Sequence, residues 1–229
     1  MSKTRQPSIE KPTRATIPSA SEELGLAAVG YRNVAGLDEV GRGCLAGPVV
    51  AAAVILKPEA YELTGRIVAI RDSKLLSPAM REKLFGEVES LARSIGIGAV
   101  PHDFIDAHGI VEATRQAMAL AIASLSVPPD HLLIDYLSLP AISLPQKPIL
   151  YGDSLCLSIA AASIIAKVSR DRLMQEKDSV FPGYGFANNK GYGTPEHLDA
   201  LQRLGPCEIH RRSFAPVKHC SEDQTSSGT

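Results

Sequence analysis

Apolar and amphipathic segments alternate along this chain, and their lengths predict the order of its strands and helices. Short, almost wholly apolar segments predict buried strands at 34–39, 48–56, 95–100 and 132–135, with a further candidate at 148–151. Segments with helical spacing predict helices at 78–94, 110–126, 157–177 and 194–204. Ser77-Pro78 and Thr194-Pro195 are typical of helix starts, because Ser or Thr caps free N–H groups and Pro fits the first turn.

This order of elements predicts an α/β protein with helices on both faces of its sheet. Only the segment GRGCLAG separates the first two strands, and so short a link favours antiparallel pairing, so we expect a mixed sheet. Residues 1–20 and 220–229 are polar and lack apolar periodicity. They predict two disordered tails around a single domain at 21–219.

Composition places the chain among ordinary globular proteins. Its 229 residues are 45% apolar, enough to bury a core in one large α/β domain. The sequence lacks both an apolar run of the roughly 18 residues that span a bilayer and the apolar centre of a signal peptide. We therefore expect a cytoplasmic protein without a membrane partner. The four cysteines are scattered, without a C-x-x-C pair, which predicts reduced thiols.

Net charge gives little sign of a nucleic-acid partner, because the whole chain carries only −1. A nucleic-acid enzyme would need a local basic patch. The segment 187–219 offers a weak candidate, with five cations against three acids and three additional histidines. The five cations are Lys190, Arg203, Arg211, Arg212 and Lys218.

Acidic residues stand at three points where a strand ends or a helix begins. Asp38-Glu39 end an apolar strand just before GRGCLAG, Asp135 closes LLID, and Asp153 precedes the long helix at 157–177. Each has an ordinary alternative: a solvated turn for the first pair, an Asx turn for Asp135, and a helix cap for Asp153. Together, three such points suit a phosphodiesterase that uses Mg2+ or Mn2+, since these ions take carboxylate ligands and keep waters.

Other functions compete for the same motifs. GRGCLAG after a strand could be a dinucleotide-binding turn, but an apolar segment follows it and two acids would face the pyrophosphate, so we reject that interpretation. Ser163 and Lys167 could form a hydrolase pair, but the surrounding AAASIIAK is so apolar that Ser163 is expected to bond back to the helix carbonyls. A nucleic-acid-binding module without catalysis remains open, although it leaves the acids unexplained.

Six motifs appear in the order of a known family. GLDEVGRGCLAGPVVAAAVIL, DSKLL, LLID, GDSLCLSIAAASIIAKVSRDRLM, NKGYGTPEHLDAL and HRRSF resemble the successive motifs of the ribonuclease HII family and cover roughly 34–217. The resemblance implies an RNase H-like mixed β-sheet flanked by helices, with a helical C-terminal segment. It implies an endoribonuclease that cuts the RNA strand of an RNA–DNA hybrid duplex, and cuts 5′ of single ribonucleotides in DNA. It also implies 5′-phosphate ends and two-metal-ion catalysis with Mn2+ or Mg2+.

The resemblance also assigns residues, position by position. Asp38, Glu39, Asp135 and Asp153 match the family's metal-binding carboxylates, which are also its catalytic residues. Matches to substrate-binding positions are Gly41, Arg42 and Gly43 for the ribose 2′-hydroxyl, Tyr192 for the next sugar, and Ser73 and Lys74 for the substrate backbone. One departure is Tyr136, where the family usually has Gly after the third acid. We further expect a monomer that binds RNA–DNA hybrids and ribonucleotide-containing DNA.

Overall fold

A five-stranded mixed sheet forms the centre of the protein. The computed structural model describes residues 17–63 and 77–226 of the chain. The strands are β1 (Val34–Val40), β2 (Val49–Leu56), β3 (Ala92–Val100), β4 (His131–Asp135) and β5 (Gln146–Ile149). They lie in the order β3-β2-β1-β4-β5, with β1, β2 and β3 antiparallel and β1, β4 and β5 parallel. The predicted mixed sheet is confirmed.

Helices cover both faces of this sheet. They are α1 (Ser21–Ala28), α2 (Pro78–Leu91), α3 (His102–His108), α4 (Ile110–Ala123), α5 (Gly152–Leu155), α6 (Leu157–Val180), α7 (Phe186–Asn189), α8 (Pro195–Leu204) and α9 (Ala215–Ser226). A 3-10 helix at Pro58–Leu63 follows β2. Within the described ranges, no helix combines the length and the apolar character that crossing a bilayer requires.

The long helix α6 packs on one face of the sheet and α4 on the other. Side chains of β2 alternate between the two cores, with Ala52 and Val54 against α6 and Ala53 and Ile55 towards α4. Gly36 of β1 lies directly under α6, where a Cβ would collide with the backbone at Ser158. The missing side chain lets helix and strand approach closely, and α6 therefore runs across the ends of the strands that carry the acids.

Several element boundaries differ from the sequence prediction: α4 ends at Ala123, α6 continues to Val180, and the ends of β3 and β5 also differ. Helix α2 ends at Leu91 and β3 begins at Ala92, whereas the sequence predicted a helix to residue 94 and a strand from 95. Ser94 instead pairs with Ile55 in the ladder and bonds Ser126, contacts that local spacing does not reveal. Strand β5 also lies two residues earlier than predicted, because Tyr151 adopts a left-handed φ of 59° that ends extended structure.

The tail boundaries also differ. Ser19 pairs with Cys156 and Ala20 is buried, so the packed structure begins before residue 21. At the other end, α9 continues through the predicted boundary at 220 to Ser226, anchored by the buried side chain of Val217. Packed or helical structure therefore extends beyond residues 21 and 219 at both ends, and the two disordered tails stay a prediction. The assignment of 21–219 to a single domain stays a prediction.

Candidate active site

Parallel pairing brings the first and third acidic points together. Strands β1 and β4 are neighbours, and their register places Leu37 opposite Ile134. Asp38 and Asp135 each follow one residue later, so both carboxylates leave the sheet at the same end of adjacent strands. Ligands of open α/β sheets bind at such carboxyl ends. The sequence predicted two separate strand ends, and the parallel pairing of β1 with β4 brings these ends together in space.

Asp153 joins them through a short turn. The Gly152 N–H donates to Asp135 Oδ1 at 2.7 Å, which ties the turn before Asp153 to the end of β4. A Cβ on Gly152 would lie 2.6 Å from Ile159 Cδ1, so a larger residue here would require that side chain to move. Neither Asp153 nor Ser154 caps α5 or α6, whose N-cap residues are Tyr151 and Cys156. The helix-cap interpretation of Asp153 is therefore not supported.

Asp38 is the most buried of the four acids, with 5% of its surface exposed. Its Oδ1 accepts from the Glu39 N–H at 2.7 Å, and the Ser163 hydroxyl of α6 also hydrogen-bonds its carboxylate. Burial raises the pKa of Asp38 well above its usual range, and the charges of Glu39, Asp135 and Asp153 raise it further. The Asp38 carboxylate is thus desolvated beside three like charges. The bond from Ser163 also replaces the expected bond from that hydroxyl to a helix carbonyl.

Glu39 lines a cleft of about 780 Å³ between α2, α6 and α7. Ser163 and Lys167 line the same cleft, which therefore adjoins Asp38. Strand β1 carries both Asp38 and Glu39 and pairs regularly with β2 as far as Val40. The backbone bends afterwards, at Gly41, whose φ is +92°.

The donor set of this site suits a hard divalent cation. Asp38, Glu39, Asp135 and Asp153 offer only carboxylate oxygens, the ligands that Mg2+ and Mn2+ prefer. A dication would also offset the charge repulsion that raises the pKa of Asp38. Within the part of the chain that the structure describes, however, no three Asp, Glu, His or Cys side chains already converge as ligands of one ion. The residues fit such an ion by their chemistry and by their shared place at the strand ends.

Two buried arginines, which the sequence analysis did not assign to the site, hold the loop after β1. Arg170 of α6 donates to the carbonyls of Ala46, Pro48 and Lys190 at 2.7–3.1 Å. Arg211 donates to the carbonyls of Arg42 and Gly47 at 2.9–3.0 Å. Both arginines are 0% exposed, and each donates three hydrogen bonds to backbone carbonyls. The spacing of Ser163, Lys167 and Arg170 on one face of an apolar helix was the signal available in the sequence.

Burial of Arg211 changes the predicted basic patch. Arg211 belongs to the loop support, and His197 and His210 are also fully buried. The segment 187–219 therefore does not present its cations as one surface, and that part of the prediction is wrong. Other cations line the cleft beside Glu39, namely Arg81, Lys167, Arg172 and Lys190.

The two glycines of the GRG loop stand in different surroundings. A Cβ on Gly41 would collide with the side chain of Arg170, and its positive φ also favours glycine. Gly43 has no such constraint, since nothing lies within 4 Å of where its Cβ would be. Arg42 lies between them, 3.6 Å from the Glu39 carboxylate. Gly41 is thus required by the fold, whereas the fold leaves room for a side chain at Gly43.

Tyr192 lines the same cleft as Glu39 and is 38% exposed. Its hydroxyl end packs inward and hydrogen-bonds the thiol of Cys44, and burial raises the pKa of Tyr192 to about 12. The Lys167 ammonium and the Arg170 guanidinium lie 5.8 and 5.9 Å from its ring centre. An aromatic ring is therefore held in the cleft beside two cations. Ser73 and Lys74 lie outside the described residues.

A chain of two histidines supports the backbone of Tyr192. The Cys207 N–H donates to His210 Nδ1 at 3.0 Å, so a neutral His210 carries its proton on Nε2. That nitrogen lies 3.1 Å from His197 Nε2, and His197 Nδ1 lies 2.8 Å from the Tyr192 carbonyl. One consistent pattern follows, in which His210 donates to His197 and His197 donates to Tyr192.

This pair should make stability depend on pH. Burial lowers the pKa of both histidines, and the charge of His197 helps to lower that of His210 to about 4. Because an unfolded histidine titrates near 6.5, the stabilisation is complete above that pH and is lost as pH falls from about 6.5 towards 4. We expect His210→Gln to reduce the loss of unfolding free energy between pH 7 and pH 5 by about 1–3 kcal/mol.

Urea unfolding at the two pH values measures this difference. His108→Gln, at an exposed position on α3, is the control and should keep the wild-type dependence. Equal pH dependence in wild type and His210→Gln would contradict the assignment of neutral histidines to this pair.

Tyr136 departs from the family pattern without obstructing the site. It has a left-handed φ of 62°, the conformation that glycine adopts most easily, which accounts for the usual glycine there. Its N–H donates to the Ile149 carbonyl at 3.1 Å, and its side chain is 60% exposed. The ring therefore lies in solvent, and the position of Asp135 is kept at some cost in backbone strain.

Comparisons with known proteins point in one direction. A sequence profile described as Ribonuclease HII matches residues 35–217. A ribonuclease HII of Chloroflexus aggregans is 56% identical over 200 residues, which cover 87% of this chain and 94% of that relative. The crystal structure of ribonuclease H2 from Pyrococcus horikoshii OT3 superposes with a TM-score of 0.71 at 25% identity, covering 84% of this chain and 98% of that one. Bst-RNase HIII in complex with Mn2+ shares the fold at a TM-score of 0.63 and 16% identity, over 97% and 77% of the two chains. The predicted RNase H-like fold is confirmed.

Proposed function

The chain belongs to the ribonuclease HII family, metal-dependent nucleases that degrade the RNA of RNA–DNA hybrids, and from this premise we propose that it also cuts 5′ of single ribonucleotides embedded in duplex DNA. The observation that carries the proposal is that Asp38 and Asp135 lie at the same end of adjacent parallel strands, with Asp153 tied to Asp135 through Gly152. The GRG loop follows Asp38-Glu39 directly. The acids that would position the phosphate are thereby directly connected to the loop that would approach its sugar.

The four carboxylates of Asp38, Glu39, Asp135 and Asp153 would hold Mn2+ or Mg2+. A pair of such ions supplies a water of lowered pKa and stabilises the leaving oxygen. A solved neighbour of the same fold was obtained in complex with Mn2+, which supports this ion class. The four carboxylates would position the scissile phosphate. The hydrogen bond from Ser163 holds the buried carboxylate of Asp38 in place. The choice between the two metals stays a prediction, as do the monomeric state and the cytoplasmic location.

Recognition of RNA requires contact with the ribose 2′-hydroxyl, which separates RNA from DNA at a given site. We assign this contact to the backbone of Gly41, Arg42 and Gly43. Arg170 and Arg211 hold this loop from below with their buried guanidinium groups, so its carbonyl and N–H groups are preorganised. Beyond the loop, the cations Lys167 and Lys190 of the cleft are placed to attract the phosphate backbone, with Asp171 moderating the charge of Lys167.

A cleavage assay tests the proposal. Duplex DNA with one ribonucleotide and an all-RNA strand on DNA are incubated with Mn2+ or Mg2+, and the products are sized on a gel. We expect cutting of both, and on the first substrate we expect the ribonucleotide on the new 5′ end. Binding without cleavage under either metal would favour a nucleic-acid-binding module, and failure on the single-ribonucleotide duplex alone would refute the finer activity.

Gly43→Ala should lower cleavage while leaving the protein intact. The space around Gly43 is open, so a methyl group costs the free fold little. In the complex, the same methyl group would obstruct the approach of the loop to the sugar, within the roughly 3 Å of a hydrogen bond. We expect the cleavage rate on a single ribonucleotide to fall by about tenfold, corresponding to about 1.4 kcal/mol.

The melting temperature and its increase on adding Mn2+ should equal those of wild type. Gly86→Ala is a matched control, because Gly86 on α2 is equally open and lies outside the site. Wild-type cleavage by Gly43→Ala would exclude close backbone contact at this position.

A further inference from the structure

Helix α6 begins without a cap of its own. Its N-cap residue, Cys156, makes no side-chain capping bond. Instead, Glu23 of α1 supplies the acceptor from 135 residues away, with Oε1 2.7 Å from the Ser158 nitrogen. The same oxygen lies 3.1 Å from Cys156 Sγ. A carboxylate at this place satisfies a free N–H group and lies at the favourable end of the helix dipole.

The strand-like segment before α1 fixes the same turn. Ser19 N–H donates to the Leu155 carbonyl, and Leu157 N–H donates to the Ser19 carbonyl, both at 3.0 Å. Residues 155–158 are thus held between Ser19 and Glu23. At the other end of the turn, Gly152 N–H bonds Asp135. Asp153 lies in the short segment between these two attachments.

Stability alone gives a poor account of Glu23. The side chain is 0% exposed, and its Oε2 has no hydrogen-bond partner among the described residues. An ionisable group that is buried with half its acceptors unused is costly, and such groups are found where function needs them. The helix that it caps also carries Ser163, which bonds Asp38, and Arg170, which bonds the Ala46 and Pro48 carbonyls after the GRG loop.

We propose that Glu23 is a positioning residue for the metal-binding carboxylates. By capping α6 from α1 it sets the axial position of that helix, and with it the distances of Asp153 and Ser163 from Asp38. This role rests on the proposed function of the four acids. Glu23 itself lies ahead of residues 35–217, which match the family profile. The N-terminal segment 17–28 is accordingly part of the active-site support.

Kinetics of full-length Glu23→Ala test the proposal. Cleavage of a single-ribonucleotide duplex is measured against Mn2+ and against duplex concentration, well below the melting temperature of the variant. We expect kcat to fall by about 10- to 100-fold and half-saturating Mn2+ to rise by about tenfold, because small misplacements of catalytic groups have effects of this size. KM for the duplex should stay within about threefold, since the cleft cations Arg81 and Lys190 lie outside α6. The increase in melting temperature on adding Mn2+ should shrink in parallel, a measurement independent of activity.

Two further variants separate positioning from general stability. Glu23→Gln keeps an oxygen that can accept from Ser158 and should restore kcat and the Mn2+ dependence to near wild type. Glu22→Ala removes the neighbouring acid on α1, which pairs with Lys147 at the surface, and should change neither. If Glu23→Ala does not fold, Ser19→Pro decides, because it removes the N–H that bonds Leu155, and it should shift kcat and Mn2+ dependence in the same direction. Ser19→Ala is its control, since it removes only the hydroxyl that bonds Ser21.

Some outcomes would overturn the proposal. A Glu23→Ala protein that melts earlier but keeps wild-type kcat and Mn2+ dependence would leave Glu23 with a structural role alone. A Glu23→Gln protein as defective as Glu23→Ala would reject capping as the cause. Absence of cleavage by wild type would instead count against the proposed function. If wild type cuts and Asp153→Asn keeps full activity, Asp153 is not needed at the site. The proposal that Glu23 acts by positioning Asp153 would then be rejected.

Discussion

Asp38→Asn should abolish cleavage while making the metal-free protein more stable. The substitution removes a carboxylate that the proposed site uses to hold the cation, and losing several kcal/mol of transition-state stabilisation lowers the rate by roughly three or more powers of ten. In the absence of metal, the same carboxylate is buried beside the charges of Glu39, Asp135 and Asp153. Removing its charge relieves both the desolvation and the repulsion.

The sign of the stability change follows from the pKa of Asp38. Its pKa is raised in the folded state, so the folded protein holds a proton there more tightly than the unfolded chain does. That stabilisation is present at low pH and is lost as pH rises through the folded-state pKa. At pH 7, above the unfolded-state pKa, the carboxyl group of Asp38 is therefore destabilising, and we expect the neutral amide to raise the free energy of unfolding in chelator.

Thermal unfolding with chelator and with Mn2+ measures both parts of this prediction. Wild type should melt at a higher temperature with Mn2+, whereas Asp38→Asn should respond little, since the ion has lost a ligand. Asp199→Asn on α8 is a control that removes one exposed carboxylate and should resemble wild type in every measurement. Near-full activity of Asp38→Asn would reject the assignment of the metal site.

Tyr192→Ala should impair cutting at a single ribonucleotide more than cutting of a continuous RNA strand. The ring lies in the cleft beside Glu39, fixed by the Cys44 thiol at its hydroxyl and by His197 at its backbone. In the proposed complex the Tyr192 ring packs on the sugar that follows the ribonucleotide. A 2′-hydroxyl on that sugar would clash with the ring, so the contact favours a deoxyribose. We expect a loss of about 10- to 100-fold at the junction, in line with the value of a well-packed ring that positions a reacting group.

The comparison of two substrates isolates the role of the ring. On an all-RNA strand the loss should be at least several-fold smaller, because the favourable sugar contact is already absent there. Tyr192→Phe keeps the ring and removes only the bond to Cys44, so it should retain most of the junction activity. Equal cutting of the single-ribonucleotide duplex by wild type and Tyr192→Ala would end the junction-sensing hypothesis.

Much of the catalytic layout could be predicted from the sequence because it depends on local pattern. The apolar stretches ending at Asp38-Glu39 and Asp135 predict buried strands with acids at their ends, and a chain with crossover helices brings parallel strand ends together. The short link GRGCLAG predicted antiparallel pairing of β1 with β2, which the sheet confirms. Six ordered motifs gave the family, and the comparisons confirm it.

Burial of charged groups was decided by the tertiary structure. Arg211 looked like a surface cation, yet it bonds the Arg42 carbonyl 169 residues away and is fully buried. Glu23 was not singled out by any sequence pattern, yet it is fully buried and caps α6. A local sequence records whether a residue is polar, whereas its solvation depends on what distant segments place around it.

The sequence by itself therefore determined the order of the strands along the chain, the antiparallel pairing of the first two, and the acids at the strand ends. It could do so because hydrophobic spacing is a property of neighbouring residues. Tertiary structure alone decided which polar groups lose water and which backbone groups they satisfy. It also moved Ser94 from a helix into β3, where the ladder with Ile55 and the bond to Ser126 outweigh local helical preference. In the same way, contacts with Cys156 draw Ser19 into the packed structure, because its backbone N–H and C=O find partners only on the turn between α5 and α6.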